Sequence, residues 1–171
     1  MKKIEGRTHQ CNYTNPKFYI LIPEYETYPK GVGYDGLNFD KAWNTRDIFL
    51  DEGIFEFEKG KTWDENIKAF WGGCLDLMKH KIHFIVFYAL GMRTPHIHCY
   101  GLFPNVQDWA EKELSYHLFC QKVFSLEYRH LLDTSLGGQQ TIALEFSKHW
   151  RSGKMKKPIF EHCPKGEQNA T

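Results

Sequence analysis

The order in which strand-like and helix-like patterns follow one another constrains the fold of this chain most. Residues 53–58 alternate apolar and acidic side chains with a period of two, as a half-buried strand does. Residues 63–80 then repeat apolar side chains at helical spacing. Residues 82–90 and 96–102 are two β-prone runs separated by a Gly-Met-Arg-Thr-Pro turn, and residues 108–124 again have helical spacing. These segments predict strand, helix, two strands and a second helix.

Three shorter segments add strands to this pattern. Residues 17–23, 141–146 and 157–160 have the composition of short strands. A β-α-β-β-α-β succession predicts an α+β fold in which an open sheet of mixed strand direction carries its helices on one face, as in the ferredoxin-like or RNA-recognition (RRM-like) plan. The other face of the sheet would stay free for a substrate.

The length of the chain predicts one folded domain. The 171 residues are enough to bury a hydrophobic core without help from metals or disulfides. We expect residues 17–162 to form this domain. Residues 1–16 are polar and predicted to be a flexible N-terminal segment, and residues 163–171 a polar tail.

Composition excludes several classes of protein. A formal charge of +1, from 22 Lys+Arg and 21 Asp+Glu, argues against a protein that binds nucleic acid through bulk charge. The 5 cysteines are odd in number and scattered, and the N-terminus lacks the apolar run of a secretory signal. We therefore expect reduced thiols and an intracellular protein of the cytoplasm or nucleoid. The longest apolar run, residues 82–90, is shorter than the ~20 residues of a bilayer span, so no membrane insertion is expected.

Acidic residues in two parts of the chain suggest a metal site. Glu56 and Glu58 stand two apart on a predicted strand and therefore share a face. Asp133 follows an apolar pair later in the chain and offers a third carboxylate. Mg²⁺ and Mn²⁺ take oxygen ligands and retain positions for water and substrate phosphates. The alternative is an ordinary strand with its acidic side in water.

Histidine and arginine residues follow in a turn and the next strand. His96 and His98 share a face, and a His-x-His pair on a strand is a recurrent metal or phosphate site. Arg93 lies three residues before His96, and its planar guanidinium suits phosphate oxygens. Solvated surface side chains remain the alternative for all three.

A basic segment lies near the end of the predicted domain. No acidic residue occurs between positions 148 and 157, whereas the basic ones are Lys148, Arg151, Lys154, Lys156 and Lys157. One interpretation is a solvated basic turn. The other is a binding site for a triphosphate or a template backbone, with Ser147 and His149 as hydrogen-bond donors and Trp150 as a stacking ring.

The ordered set of these motifs resembles the archaeo-eukaryotic primase superfamily, that is, the catalytic small subunit of archaeal and eukaryotic DNA primases and the related primase-polymerases. That family has two carboxylates two apart at a strand end and then a Ser-Gly-x-Arg-Gly-x-His turn. An aspartate after hydrophobic residues follows, and then a Ser-x-His-x-Lys-Thr-Gly segment with Pro-Ile beyond. The matching stretches in this chain are residues 55–58, 91–99, 132–133 and 146–153, with Pro158-Ile159.

The resemblance implies a compact primase-type catalytic core that joins nucleotides on a single-stranded DNA template. It implies that Glu56, Glu58 and Asp133 are catalytic and hold two Mg²⁺ or Mn²⁺ ions. It further implies (d)NTPs as substrates and a primase large subunit, an accessory domain or a helicase as candidate partners. The implied nucleotide-binding residues are Arg93, His96, His98, Ser147, His149, Arg151 and Lys154. The cysteines and histidines lack paired close spacing, so we expect no structural zinc.

Two other functions remain open. Thr94-Pro95-His96-Ile97-His98 also resembles the metal motif of His-hydrophobe-His (HUH) rolling-circle initiators and relaxases, in which Tyr128 or Tyr116 would be the nucleophile that attacks a DNA phosphate. The third candidate is a non-catalytic module that binds single-stranded nucleic acid by stacking bases on aromatic rings of the open sheet face.

Overall fold

The computed structural model describes residues 45–146, 148–149 and 152–164. The strand predicted at residues 17–23, the N-terminal segment and all but the first residues of the polar tail lie outside the described residues. The strands in the described part are β1 (Thr45–Asp47), β2 (Gly53–Phe55), β3 (Phe84–Tyr88), β4 (His96–Cys99), β5 (Thr141–Ala143) and β6 (Lys157–His162). The helices there are α1 (Trp63–Lys79), α2 (Trp109–Val123) and the short α3 (Leu126–Arg129), followed by a 3₁₀ turn at Thr134–Gly137.

The main sheet has four strands in the order β2-β4-β3-β6, and each of its pairings is antiparallel. The predicted α+β class is confirmed. The prediction of mixed strand direction is wrong for the described strands. The strands β2 and β3, which α1 connects, run in the same direction, but β4 lies between them. Strands that run in the same direction are therefore not neighbours in this sheet.

Both long helices begin at residues that cap them. The Thr62 side chain accepts a hydrogen bond from the Glu65 amide at 3.2 Å, and Asp108 accepts one from the Glu111 amide at 2.8 Å. Such caps satisfy amides that have no partner inside the helix. The predicted helices at residues 63–80 and 108–124 are therefore confirmed to within one residue at each end. No helix in the described ranges has the length and apolar character needed to cross a membrane.

The hydrophobic core lies between the helices and one face of the sheet. Phe55 stacks on Tyr116 of α2, with ring centroids 5.3 Å apart. A Cβ added at Gly73 of α1 would lie 2.5 Å from the ring of Phe57, so this helix packs directly on the extension of β2. Because Phe55 and Phe57 are two residues apart, both helices cover the same face. The alternate residues Glu56 and Glu58 consequently belong to the opposite side.

That opposite face is partly covered. Phe87 lies directly across from His96 in the register of β3 and β4, and both Phe87 and His98 are fully buried. The ring of Phe146 packs edge-on against Phe87 at 6.0 Å, and the Phe146 amide donates to the Lys156 carbonyl at 2.8 Å. The expectation of a free sheet face is therefore wrong around Phe87, because the segment that precedes β6 folds back over it.

The strand predicted at residues 141–146 is shorter than expected. β5 ends at Ala143 because a turn follows in which Phe146 adopts a positive φ of 63°. β5 pairs with β1 in a separate two-stranded sheet and does not join the main sheet. The predicted strands that became β2, β3, β4 and β6 are confirmed in position, with ends that differ by a few residues.

Lys112 of α2 is a fully buried lysine that leads to a testable pH dependence. Its Nζ donates to the carbonyls of Phe49 at 3.0 Å and Glu52 at 2.5 Å, and lies 5.4 Å from the ring centroids of both Phe103 and Trp109. Burial lowers the pKa of Lys112 to about 8 from its ordinary 10.5, against the opposing effect of nearby carboxylates. Between these two values the unfolded chain binds the proton more tightly than the folded chain, so this group makes stability rise with pH.

We therefore expect the free energy of unfolding of the wild type to rise with pH relative to that of Lys112→Met. The gain should be roughly 1–2 kcal/mol between about pH 7.5 and 9.5 in urea unfolding experiments. Lys122→Met, which removes an exposed lysine from the same helix, should leave the wild-type curve unchanged. Parallel curves for the wild type and Lys112→Met would show that the lysine is not held in the unfavourable environment described above.

Candidate metal centre

Three carboxylates from two separate stretches of the chain converge at the end of β2. One oxygen from each of Glu56, Glu58 and Asp133 lies within 4.8 Å of the others. Glu56 is buried, whereas Glu58 and Asp133 are partly exposed, so the cluster opens toward solvent. The structure thus brings together the three residues that the sequence singled out as metal ligands.

Backbone pairing beyond the end of β2 explains this convergence. Phe57 and Leu132 form an isolated antiparallel bridge. On either side of it the Asp133 amide donates to the Glu56 carbonyl at 2.9 Å, and the Lys59 amide to the Leu131 carbonyl at 3.2 Å. Since Phe57 and Leu132 point into the core, the acidic neighbours project from the other side.

The carboxylate of Asp133 is further oriented by the turn that it begins. Its Oδ1 accepts hydrogen bonds from the amide of Ser135 at 3.2 Å and from the Ser135 hydroxyl at 2.7 Å. The Nζ of Lys59 lies 3.9 Å from the same oxygen. These contacts fix one oxygen of Asp133.

The carboxylates of the cluster repel one another, and this repulsion is reflected in the pKa of Glu58. Burial, and then the charges of Glu56 and Asp133, raise the pKa of Glu58, although Arg93 and Lys59 act in the opposite direction. Oxygen donors that repel one another are the ligand set that Mg²⁺ and Mn²⁺ prefer, because a hard cation relieves the repulsion. The residues present therefore fit a divalent cation.

This repulsion leads to an expected gain in stability. The ionised Glu58 destabilises the metal-free fold above its folded pKa, because its pKa is higher in the folded than in the unfolded chain. Glu58→Gln should therefore melt at a higher temperature than the wild type at neutral pH in EDTA. Glu113→Gln, at an exposed position on α2, should change the melting temperature little. A lower melting temperature for Glu58→Gln would mean that the carboxylates do not repel one another as described.

Glu56 is kept ionised by its surroundings. Its Oε1 lies 2.9 Å from Nδ1 of His96, the residue beside it on the neighbouring strand. Burial acts to raise the pKa of Glu56, but His96, and then Lys156 and His98, lower it by more, so the net pKa lies below its ordinary value. His96, whose side chain is 13% exposed, thus lies beside the most buried carboxylate at the edge of the site.

His98 is placed differently from the sequence prediction of a nucleotide-binding residue. Its side chain is 0% exposed, and its Nδ1 lies 3.2 Å from Oε1 of Glu145. The Tyr100 hydroxyl donates to the same Glu145 oxygen at 2.9 Å. In this arrangement His98 anchors the segment after β5 to the sheet. The local sequence offered one signal for Glu145, an acidic residue within the apolar run Ile-Ala-Leu-Glu-Phe.

Lys156 is also buried. The sequence predicted it only as one of several basic residues in the same segment. It is 1% exposed, and its Nζ donates to the Ala143 carbonyl at 2.9 Å and lies 5.8 Å from the ring centroid of Phe87. Its charge helps lower the pKa of Glu56. Lys156 therefore supplies a buried positive charge that acts on Glu56, whereas the other described lysines of the segment, Lys148, Lys154 and Lys157, are exposed.

The predicted basic segment forms a hairpin next to the turn that carries Arg93. We call its described residues, 148–149 and 152–157, the basic hairpin. Within it the His149 amide donates to the Lys154 carbonyl at 2.7 Å. The Ser152 hydroxyl donates to the Leu90 carbonyl, and a Cβ added at Gly91 would lie 3.0 Å from Nδ1 of His149. His149 therefore lies next to Gly91, in the turn that also carries Arg93. The side chain of Arg93 is exposed. Ser147 and Arg151 lie outside the described residues.

The two tyrosines proposed as nucleophiles lie on the helix side of the sheet. The Tyr116 hydroxyl donates to the Ile54 carbonyl at 3.0 Å, and burial raises the pKa of Tyr116 well above its ordinary value. The Tyr128 hydroxyl donates to the Asp76 carboxylate, and burial raises the pKa of Tyr128 to about 12. The structure does not bring either tyrosine to the face that carries His96.

Comparisons with known proteins do not identify the chain. No protein-family model, no curated protein and no solved structure matches it.

Proposed function

We propose that this chain is a template-directed nucleotidyltransferase of the DNA primase or primase-polymerase kind, with an RRM-like catalytic core, acting on single-stranded DNA. The convergence of Glu56, Glu58 and Asp133 beside His96 carries the proposal. The order of the motifs, which resembles that of primase small subunits, supports it. Oxygen donors of this kind suit the chemistry of transferring phosphoryl groups.

In the proposed reaction the 3′-hydroxyl of the growing strand attacks the α-phosphorus of the incoming nucleotide. A new phosphorus–oxygen bond forms, and the hydroxyl proton passes to solvent. The bond from the α-phosphorus to the oxygen that bridges to the β-phosphate breaks, and pyrophosphate leaves. Divalent ions held by Glu56, Glu58 and Asp133 would supply stabilisation of charge on the attacking and leaving oxygens. His96 lies against the Glu56 carboxylate, and the charges of His96 and Lys156 help to keep that carboxylate ionised.

Residues on the solvent side of the carboxylates would bind the nucleotide's phosphates. Arg93 is exposed, and its charge acts on Glu58, so it lies on the open side of the cluster. His149 belongs to the basic hairpin, which packs on the turn just before Arg93. A guanidinium and an imidazole there can donate hydrogen bonds to phosphate oxygens.

A nucleotide incorporation assay tests the proposal. Labelled deoxyribonucleotides or ribonucleotides, a single-stranded template with or without a primer, and Mn²⁺ should give products that depend on the template sequence and disappear in EDTA. A covalent DNA adduct that is lost in Tyr128→Phe or Tyr116→Phe would instead indicate an endonuclease. Binding of single strands that persists in EDTA, without any incorporation, would indicate a non-catalytic module.

A further inference from the structure

We propose that Lys59 has two successive partners in the candidate metal centre: the Asp133 carboxylate before cations bind, and a phosphate oxygen of the nucleotide once they are bound. The inference rests on the proposed function for the kind of ligand, a nucleoside triphosphate with divalent cations. It deepens that function by assigning a phosphate-binding lysine that the sequence motifs do not single out.

Lys59 follows Glu58 directly, and its backbone is fixed by the pairing beyond β2. Its amide donates to the Leu131 carbonyl at 3.2 Å. Alternation from Phe57 would direct its side chain away from the carboxylates, but the long stem brings its Nζ to 3.9 Å from Oδ1 of Asp133. The side chain is 51% exposed, so the ammonium can move without disturbing the core.

The contact between Lys59 and Asp133 is loose. A distance of 3.9 Å is long for an ion pair, and exposed pairs contribute little to stability because water screens them. The same Oδ1 of Asp133 is already held by the amide and the hydroxyl of Ser135. The Asp133 carboxylate would therefore keep its orientation if the ammonium of Lys59 left it.

Cation binding would reverse the sign of the charge that Lys59 faces. Before cations bind, the ammonium lies beside three carboxylates, and its charge opposes the rise in the pKa of Glu58 that burial and the other two carboxylates cause. Two divalent cations carry more charge than three carboxylates, so the filled cluster would be positive. A lysine beside it would then be repelled by the cluster and attracted to an anionic ligand.

The phosphates of a nucleotide are the anions that a filled cluster would bring close to Lys59. Mg²⁺ or Mn²⁺ held by a few carboxylates completes its coordination with water and substrate phosphates. A lysine ammonium binds phosphate as a point charge with three donors on a flexible stem. Arg93 is also exposed and its charge also acts on Glu58, so both cations would be available to the triphosphate.

Two binding measurements test the inference without requiring catalysis. The first follows Mn²⁺ alone by the electron paramagnetic resonance signal of the free ion, and the second follows dATP by calorimetry at saturating Mn²⁺. The test variant is Lys59→Met, and Lys59→Arg retains the charge. Lys68→Met is the control, because it removes a charge from an exposed position on α1. All three variants should melt within about 2 °C of the wild type, since exposed ion pairs contribute little to stability.

We expect Lys59→Met to bind Mn²⁺ about three- to tenfold more tightly than the wild type, because a positive charge beside the ligands is lost. The same variant should bind dATP about tenfold more weakly, because a charge-assisted hydrogen bond to phosphate is lost. Lys59→Arg and Lys68→Met should stay close to the wild type in both measurements. The two expected changes have opposite signs, whereas a general loss of structure would weaken both kinds of binding.

Unchanged or weaker Mn²⁺ binding by Lys59→Met, or dATP binding equal to that of the wild type, would overturn the inference. Template-dependent incorporation by the wild type together with either result would refute only this inference. The expected changes in a protein without any incorporation would refute only the proposed function, and the site would then bind a metal–nucleotide complex for another purpose. A wild type that binds neither Mn²⁺ nor dATP would refute both.

Discussion

Replacing Glu56, Glu58 or Asp133 by alanine, one at a time, is expected to lower the rate of nucleotide incorporation by about 10³-fold or more. Their oxygens lie within 4.8 Å of one another, so each substitution removes one part of a shared ligand set. Loss of the charge stabilisation that bound cations provide is worth several kcal/mol, and about 4 kcal/mol corresponds to this factor. Single-turnover incorporation at saturating Mn²⁺ measures the effect on the chemical step.

Glu113→Ala is the matched control, because it removes a carboxylate from an exposed position on α2. Its incorporation rate should equal that of the wild type, and the melting temperatures of the four variants should show that each is folded. If one of the three substitutions left the rate unchanged in a folded protein, the three carboxylates would not act as one site.

The second large effect concerns stability. Glu145→Ala is expected to lower the free energy of unfolding by about 3–5 kcal/mol, the cost of breaking a buried pair. Glu145 is 1% exposed, and one of its oxygens contacts both His98 and the Tyr100 hydroxyl. The substitution would remove the charged acceptor that these two buried groups share, and hydrogen bonds to charged groups contribute more to stability than neutral ones. Urea unfolding monitored by tryptophan fluorescence measures the loss.

Two variants show whether the loss arises from this contact. Glu145→Gln retains an oxygen acceptor of similar shape and should lose less stability than Glu145→Ala. Glu127→Ala, at an exposed position on α3, should stay close to the wild type. A loss of less than about 1 kcal/mol for Glu145→Ala would contradict the anchoring role given to this residue.

Local patterns predicted the elements whose side chains repeat regularly. The alternation at residues 53–58 placed Phe55 and Phe57 in the core and their acidic neighbours on the other face, as the structure has them. The helical spacing at residues 63–80 located α1 to within one residue at its end. Both patterns depend on residues a few positions apart, which is the range over which sequence periodicity is informative.

Features that depend on distant pairing were not predictable in the same way. The bridge between Phe57 and Leu132, which draws Asp133 to Glu56, joins positions far apart in the chain and leaves no local periodicity. The strand direction was mispredicted because it depends on β4 lying between β2 and β3.

The burial of His98 was not predictable from the sequence, for a related reason. The same-face rule correctly placed His98 on the face of His96, but it does not show what packs over each residue. The segment of Glu145 and Phe146 covers His98 and Phe87 and leaves His96 at the edge. Two histidines on one face can therefore have different roles, one beside the carboxylates and one within a buried anchor.

Titration with Mn²⁺, followed by the electron paramagnetic resonance signal of the free ion, tests most directly whether Glu56, Glu58 and Asp133 form a cation site. The wild type should remove Mn²⁺ from solution, and Glu58→Gln and Asp133→Asn should each weaken that binding on the order of tenfold or more, as loss of a ligand does, whereas Glu113→Gln should not. Unchanged Mn²⁺ affinity in a folded protein lacking all three carboxylates would contradict the existence of this site.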